Sequence, residues 1–87
     1  MEVDNNFYLY RLSPDGDGDV YGRFPNLMMA EMSADLLMIK DYCFILSGDM
    51  TKIYFYYPDK KEWDYDLLTE KGRLDFLDAF PNPKEYK

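Results

Sequence analysis

The alternation of apolar and polar residues predicts a chain of short strands and two helices. Five runs have the aromatic or β-branched composition of strands: residues 7–12, 20–24, 42–46, 51–57 and 62–67. The turn formers from Ser13 to Asp19 join the first two runs into a hairpin with a long acidic loop, and Ser47 to Met50 join the next two. The last run alternates acid with apolar at period two, which is typical of a half-buried edge strand.

Helical spacing occurs in two stretches. Residues 27–40 are rich in Leu, Met and Ala, and Asn26 or Pro25 marks the start of this first helix. Lys40 falls in its last turn, where a cation suits the helix dipole. The apolar positions expected to form its buried face are 28, 29, 32, 36 and 39.

A final short helix is predicted after Thr69, whose side chain can cap its first turn. Pro81 and Pro83 end this helix, and residues 84–87 form a loose tail. Its predicted apolar face consists of Leu74, Phe76, Leu77 and Phe80. Residues 1–87 therefore form one small α+β domain in the order ββαβββα, with two helices packed on an antiparallel sheet of four to five strands.

The composition indicates a folded core and restricts the chemistry that the side chains can perform. The chain has 87 residues, of which 47% are hydrophobic and 18% aromatic, too many for a disordered chain. It has no histidine and one cysteine, which excludes Ser-His-Asp and Cys-His catalysis, histidine zinc sites and an intrachain disulfide. We expect no catalytic residues, no metal and no cofactor, and hence a protein that is not an enzyme.

The net charge of −7 indicates the kind of partner. It opposes direct binding to nucleic acid and to anionic membranes, and it favours a basic protein. The N-terminus has no basic segment followed by an apolar one, and no apolar run approaches the ~20 residues that span a bilayer. Cys43 lies in an apolar run, which fits a reducing compartment. We therefore expect a cytoplasmic protein.

The acidic loop with Asp15, Asp17 and Asp19 has the carboxylate spacing of a calcium loop, but the pattern then fails. Position 6 of such a loop would be Val20 instead of glycine, and position 12 would be Asn26 instead of glutamate. The flanking segments are strands and not helices. A solvated hairpin loop that contributes charge to a binding surface is the better interpretation.

The fifth strand is expected to carry a row of acids. Glu62, Asp64 and Asp66 fall on one face about 6.6 Å apart. Trp63, Tyr65 and Leu67 are expected to face the core. This spacing is comparable to that of phosphates along a nucleic-acid strand, so the row is suited to a groove lined by Lys and Arg. The alternative is that the charges merely prevent aggregation at a sheet edge.

Aromatic residues occupy both faces of the strand 51–57, and only one face can meet the first helix. Tyr54 and Tyr56 would then be covered by the last helix, pair with neighbouring strands, or contact a partner. If they share a face with Glu62, Asp64 and Asp66, the result is an acidic surface with aromatic anchors. By contrast, four methionines of the first helix are expected to fill the core: Met28, Met29, Met32 and Met38.

In size, acidity and richness in Tyr and Asp, the chain resembles phage-encoded DNA-mimic, anti-restriction and anti-CRISPR proteins, and immunity proteins that neutralise nuclease toxins. The resemblance implies an inhibitor that occludes a basic, nucleic-acid-binding surface of a larger protein. The expected binding residues are Asp15, Asp17, Asp19, Tyr54, Tyr56, Glu62, Asp64 and Asp66. The alternative is a structural or adaptor subunit, with a homodimer as one form, whose acidity serves only solubility.

Overall fold

The computed structural model describes residues 4–15, 18–38 and 42–83 and confirms the order ββαβββα. The predicted core position Ile39, the predicted cation Lys40 and the predicted tail, residues 84–87, lie outside these ranges. The elements are β1 (Phe7–Leu12), β2 (Gly18–Phe24), α1 (Leu27–Leu37), β3 (Tyr42–Ser47), β4 (Lys52–Tyr57), β5 (Glu62–Leu67) and α2 (Glu70–Ala79).

All five strands form one antiparallel sheet in the order β2-β1-β3-β4-β5. The strands β2 and β5 are its edges, so the edge position predicted for β5 is confirmed. A register shift between Leu9 and Tyr10 places an irregularity in the β1–β2 pair. Because side chains alternate across a sheet, the cross-strand pairs define two faces, and each face is covered by one helix.

One face packs against α1, which contacts β1, β2 and β3. Ala30 and Ala34 are the fully buried residues of this helix, and they meet Leu9 and Ile45 of the sheet. The predicted helix face, with Met28, Met29 and Met32 in the core, is wrong: these methionines are exposed, and only Met38 packs at the edge of the core. The small alanines face inward because large side chains already fill the sheet surface and the helix must approach closely.

The other face packs against α2 through a cluster of aromatic rings. Tyr10 stacks on Phe44 with ring centroids 5.1 Å apart, and Phe76 and Phe80 meet both rings at their edges. The predicted apolar face of α2 is therefore half correct. Phe76 and Phe80 pack on the sheet, whereas Leu74 is largely exposed, and Leu77 is also exposed.

Both predicted helix caps are confirmed. The Asn26 side chain accepts a hydrogen bond from the Met29 amide at 2.9 Å, and the Thr69 hydroxyl accepts one from the Gly72 amide at 3.0 Å. Each bond satisfies an amide that has no partner inside the helix. No helix within the described residues is long and apolar enough to cross a membrane.

Candidate protein-binding surfaces

Three carboxylates form an acidic row on the edge strand β5: Glu62, Asp64 and Asp66. All three side chains are exposed and lie on the α2 side of the sheet. Directly across from them on β4 are Tyr57, Phe55 and Ile53, so the cross-strand neighbours of the row are apolar and bring no compensating cation. The carboxylates project from a surface with no charge of opposite sign beside them on the adjacent strand.

The expectation that Tyr54 and Tyr56 share a face with the acidic row is wrong, because the two tyrosines lie on the other face of the sheet. Tyr54 pairs with Tyr65 and Tyr56 with Trp63, at ring separations of 5.5 and 5.7 Å. These four rings form an aromatic patch on the α1 side of the sheet. The acids and the aromatics of β5 are thus separated by the thickness of one sheet.

The aromatic patch is only partly covered, since α1 contacts β1, β2 and β3 but does not extend over β5. Tyr54 is buried, Trp63 packs at the edge of the core, and Tyr65 is exposed together with Leu67. The expectation that Tyr65 and Leu67 face the core is therefore wrong. The indole Nε1 of Trp63 is buried without a hydrogen-bond partner, which leaves this ring held by packing alone.

The acidic loop lies far from the acidic row. It connects β1 to β2, and β2 is the edge strand opposite β5, four strand spacings or about 19 Å away. Asp15 accepts a hydrogen bond from the Ser13 hydroxyl. The prediction that Asp19 belongs to the loop is wrong, because it lies in β2 across from Arg11 on β1. Asp17 falls outside the described residues. Because the two groups flank opposite edges, the loop does not extend the acidic row into one continuous surface.

A further surface was not expected from the sequence. The outer face of α1 carries four exposed apolar side chains: Met28, Met29, Met32 and Leu36. The signal for it was present, because Ala30 and Ala34 are also four residues apart and small residues permit the closest approach to a sheet. Apolar periodicity alone did not distinguish the two sides of this helix.

Two acids run along one side of this outer face. Burial raises the pKa of Glu31, and the negative charge of Asp35 four residues later raises it further. The Tyr54 hydroxyl has a pKa raised by burial, by Tyr65, and by the charges of Asp49 and Glu31. The charge of Glu31 therefore acts at the Tyr54 hydroxyl, and it is the smallest of these contributions.

A small polar cavity of about 120 Å³ lies at the turn between β3 and β4. Its carboxylates are already engaged. Asp49 accepts hydrogen bonds from the hydroxyls of Thr51 and Ser47 at 2.7 Å each, which lower its pKa, and Asp4 accepts one from Tyr8 at 2.6 Å. Within residues 4–15, 18–38 and 42–83, no cluster of three or more potential metal ligands occurs.

Comparison of the chain with protein-family models, with curated proteins and with solved structures finds no match.

Proposed function

We propose that this protein is a small, non-catalytic, acidic inhibitor that binds a basic, nucleic-acid-binding surface of a larger cytoplasmic protein and occludes it. The acidic row of β5 carries the proposal. Its carboxylates are exposed, evenly spaced, and flanked across the strand by apolar side chains and not by cations. The buried thiol of Cys43 fits the reducing compartment that the proposal requires.

The row suits a groove that normally holds a nucleic-acid backbone. Alternate residues of a strand are about 6.6 Å apart, so three carboxylates present negative charge at regular intervals along a straight line. A rigid sheet edge keeps these positions without the ordering cost of a flexible acidic tail. The net charge of −7 would add long-range attraction, which raises association rates at low salt.

A structural or adaptor subunit is the second candidate, and the open edge of β5 favours it. Among the strands that the structure describes, β5 has a neighbour on one side only, so its outer edge can pair with another strand, including β5 of a second copy. One of its amides is not available in this way, since the Tyr65 N–H donates to the Asp64 carboxylate at 2.8 Å. The acidity would then serve only solubility.

Two double variants of equal net charge distinguish the inhibitor from the adaptor. Asp64→Asn with Asp66→Asn removes two charges from the acidic row, and Asp15→Asn with Asp19→Asn removes two from the opposite edge, so both change the net charge from −7 to −5. The two sites are about 19 Å apart, more than twice the ~8 Å Debye length at physiological salt. A local binding surface therefore responds to the first pair and not to the second.

The experiment begins with immobilised wild-type protein and both double variants in parallel. A protein retained by the wild type and by the loop variant, but lost from the row variant, is purified, and its nucleic-acid binding is titrated with the wild type. We expect stoichiometric loss of nucleic-acid binding and, for the row variant at physiological salt, association slowed about three- to tenfold with a weaker salt dependence.

Two results would count against the inhibitor. Equal slowing by both double variants would show that only bulk charge matters. A homodimer on sizing, with no nucleic-acid-processing protein retained, would favour the adaptor.

A further inference from the structure

The outer face of α1 is an apolar ridge on which none of residues 4–15, 18–38 and 42–83 packs. Met28, Met32 and Leu36 follow one another at intervals of four residues, and their side chains are 69%, 62% and 75% exposed. Eight residues of helix rise about 12 Å, so the ridge is slightly more than two turns long. Met29 widens it on one side. A contiguous exposed apolar surface of this kind marks an interaction site more often than chance exposure.

The surroundings of the ridge carry negative charge. Glu31 and Asp35 lie along one side of it, and the helix has no Lys or Arg between Leu27 and Leu37. On the same side of the sheet, the Lys52 ammonium is 5.0 Å from the centre of the Tyr65 ring. Because this ring already contacts a cation of the protein itself, we expect a partner's cations at Glu31 and Asp35.

We propose that this surface binds a basic amphipathic helix of a partner protein, with the partner's apolar side chains on the methionine ridge and its Lys or Arg side chains toward Glu31 and Asp35. Side chains at i, i+4 and i+8 form a ridge that packs into the groove of a second helix, and Met28, Met32 and Leu36 have this spacing. Methionine is flexible and polarizable, so the ridge can adapt to anchors of different shape.

The negative charge beside the ridge favours a basic helix over a second copy of the chain. Two copies meeting through α1 would bring Glu31 and Asp35 of both chains together, and each chain carries a net charge of −7. A stable dimer also buries roughly 800 Å² on each subunit, a large area for one ridge of four side chains. A basic helix instead finds opposite charge next to its apolar contacts.

This inference goes beyond the inhibitor function, because α1 and the acidic row lie on opposite sides of the sheet. It can fail while the inhibitor function stands, and the reverse is also true.

The test uses a synthetic 18-residue peptide of Leu and Lys arranged as an amphipathic helix. A peptide of the same composition in scrambled order, which has no apolar face, is the control. Methyl-labelled methionine reports the site by NMR. We expect the amphipathic peptide to shift the methyl signals of Met28, Met29 and Met32, and to leave that of Met50 unchanged, because Met50 is buried in the core on the opposite face of the sheet.

Two matched leucines make the test quantitative. Leu36→Gln alters the ridge, whereas Leu74→Gln changes a leucine of α2 that is 62% exposed, so neither variant disturbs the core. We expect Leu36→Gln to weaken peptide binding about tenfold and Leu74→Gln to change it less than twofold.

Equal binding of the scrambled peptide would overturn the proposal, as would equal effects of the two variants or peptide binding that leaves the methyl signals of Met28, Met29 and Met32 unchanged. A wild-type dimer on sizing that Leu36→Gln abolishes would assign the ridge to a second copy and also overturn it.

Discussion

The hydroxyl of Tyr10 links the central part of the sheet to the segment after α2. Tyr10 is 0% exposed, and its hydroxyl donates a hydrogen bond to the Pro81 carbonyl at 2.6 Å. These residues are 71 positions apart in the chain, so the bond closes the fold between its first strand and its C-terminal part. Tyr10→Phe removes this one bond and keeps the stacking on Phe44.

The size of the effect follows from the two partners. A hydrogen bond of this type contributes about 1 kcal/mol net, and an acceptor left buried without a partner would add to the loss. Because Pro81 is an exposed residue, we expect the additional penalty to be small. We expect Tyr10→Phe to lower the free energy of unfolding by about 1 kcal/mol, or Tm by roughly 4–8 °C for a domain of this size.

Urea and thermal unfolding followed by circular dichroism would measure the loss. Tyr42→Phe is the matched control, since Tyr42 is half exposed on the neighbouring strand β3, and it should change stability by less than 0.5 kcal/mol in the range of ordinary surface substitutions. If Tyr10→Phe is as stable as the wild type while Tyr42→Phe behaves as expected, the Tyr10 hydroxyl does not stabilise the fold and the reasoning fails.

The wild type and Tyr10→Phe can also be compared as a function of pH. Burial, and to a smaller extent Tyr8, raises the pKa of Tyr10 above that of a tyrosine in the unfolded chain. The stability contributed by the neutral hydroxyl is therefore fully present below the unfolded pKa of about 10, and it is lost as the pH rises through the folded pKa. We expect the advantage of the wild type over Tyr10→Phe to be constant from neutral pH to about pH 9 and to shrink above pH 10.

Two further predictions concern glycines and a turn carboxylate. A Cβ at Gly18 would lie 2.6 Å from the Phe80 ring, whereas one at Gly72 would meet no atom closer than 3.4 Å. Gly18→Ala should thus lower the free energy of unfolding in urea by about 1–3 kcal/mol. Gly72→Ala lies in a helix and should raise it by about 0.5–1 kcal/mol. Equal effects of the two substitutions would contradict the structure. The lowered pKa of Asp49 means that its stabilisation is present above the unfolded pKa near 4 and lost as the pH falls through the folded pKa. Asp49→Ala should therefore cost about 1 kcal/mol at pH 7 and progressively less toward pH 3, and a cost independent of pH would refute this reasoning.

Features that depend on a few neighbouring residues could be predicted from the sequence. Asn26 and Thr69 cap their helices because their side-chain oxygens reach amides only three residues ahead. The acidic alternation of residues 62–67 identified an edge strand because a charge at every second position suits a strand with one exposed face. In these cases the physical cause lies within one turn of helix or one strand.

The side of α1 that enters the core could not be found from apolar periodicity, because both sides of this helix are apolar. Hydrophobicity favours burying methionine, but Ala30 and Ala34 are buried instead. The choice depends on how much space the sheet leaves, and that space is set by residues far away in the chain, such as Leu9 and Ile45. Size complementarity of this kind is a tertiary property.

The separation of acids from tyrosines follows from the length of one turn. Four residues, 58–61, join β4 to β5 and pair Tyr57 with Glu62, so even-numbered residues of one strand face odd-numbered residues of the other. Lys61 adopts a left-handed conformation, with φ of 54°, which helps to close this turn. A turn one residue longer or shorter would have placed the acidic row beside Tyr54 and Tyr56. The composition of the two strands alone does not determine which of their residues share a face.

The exposed surfaces around β5 follow from the proportions of the fold. Five strands span about 19 Å between the edge axes, whereas a helix with its side chains is about 10 Å wide and covers two to three strands. One helix on each face therefore leaves part of both faces bare. On one side α1 leaves the second half of β5 uncovered, and on the other the acidic row is exposed. Because β5 alternates acid with apolar, its two bare faces differ in chemistry, and a basic protein that contacts this edge would meet carboxylates on one side and aromatic rings on the other.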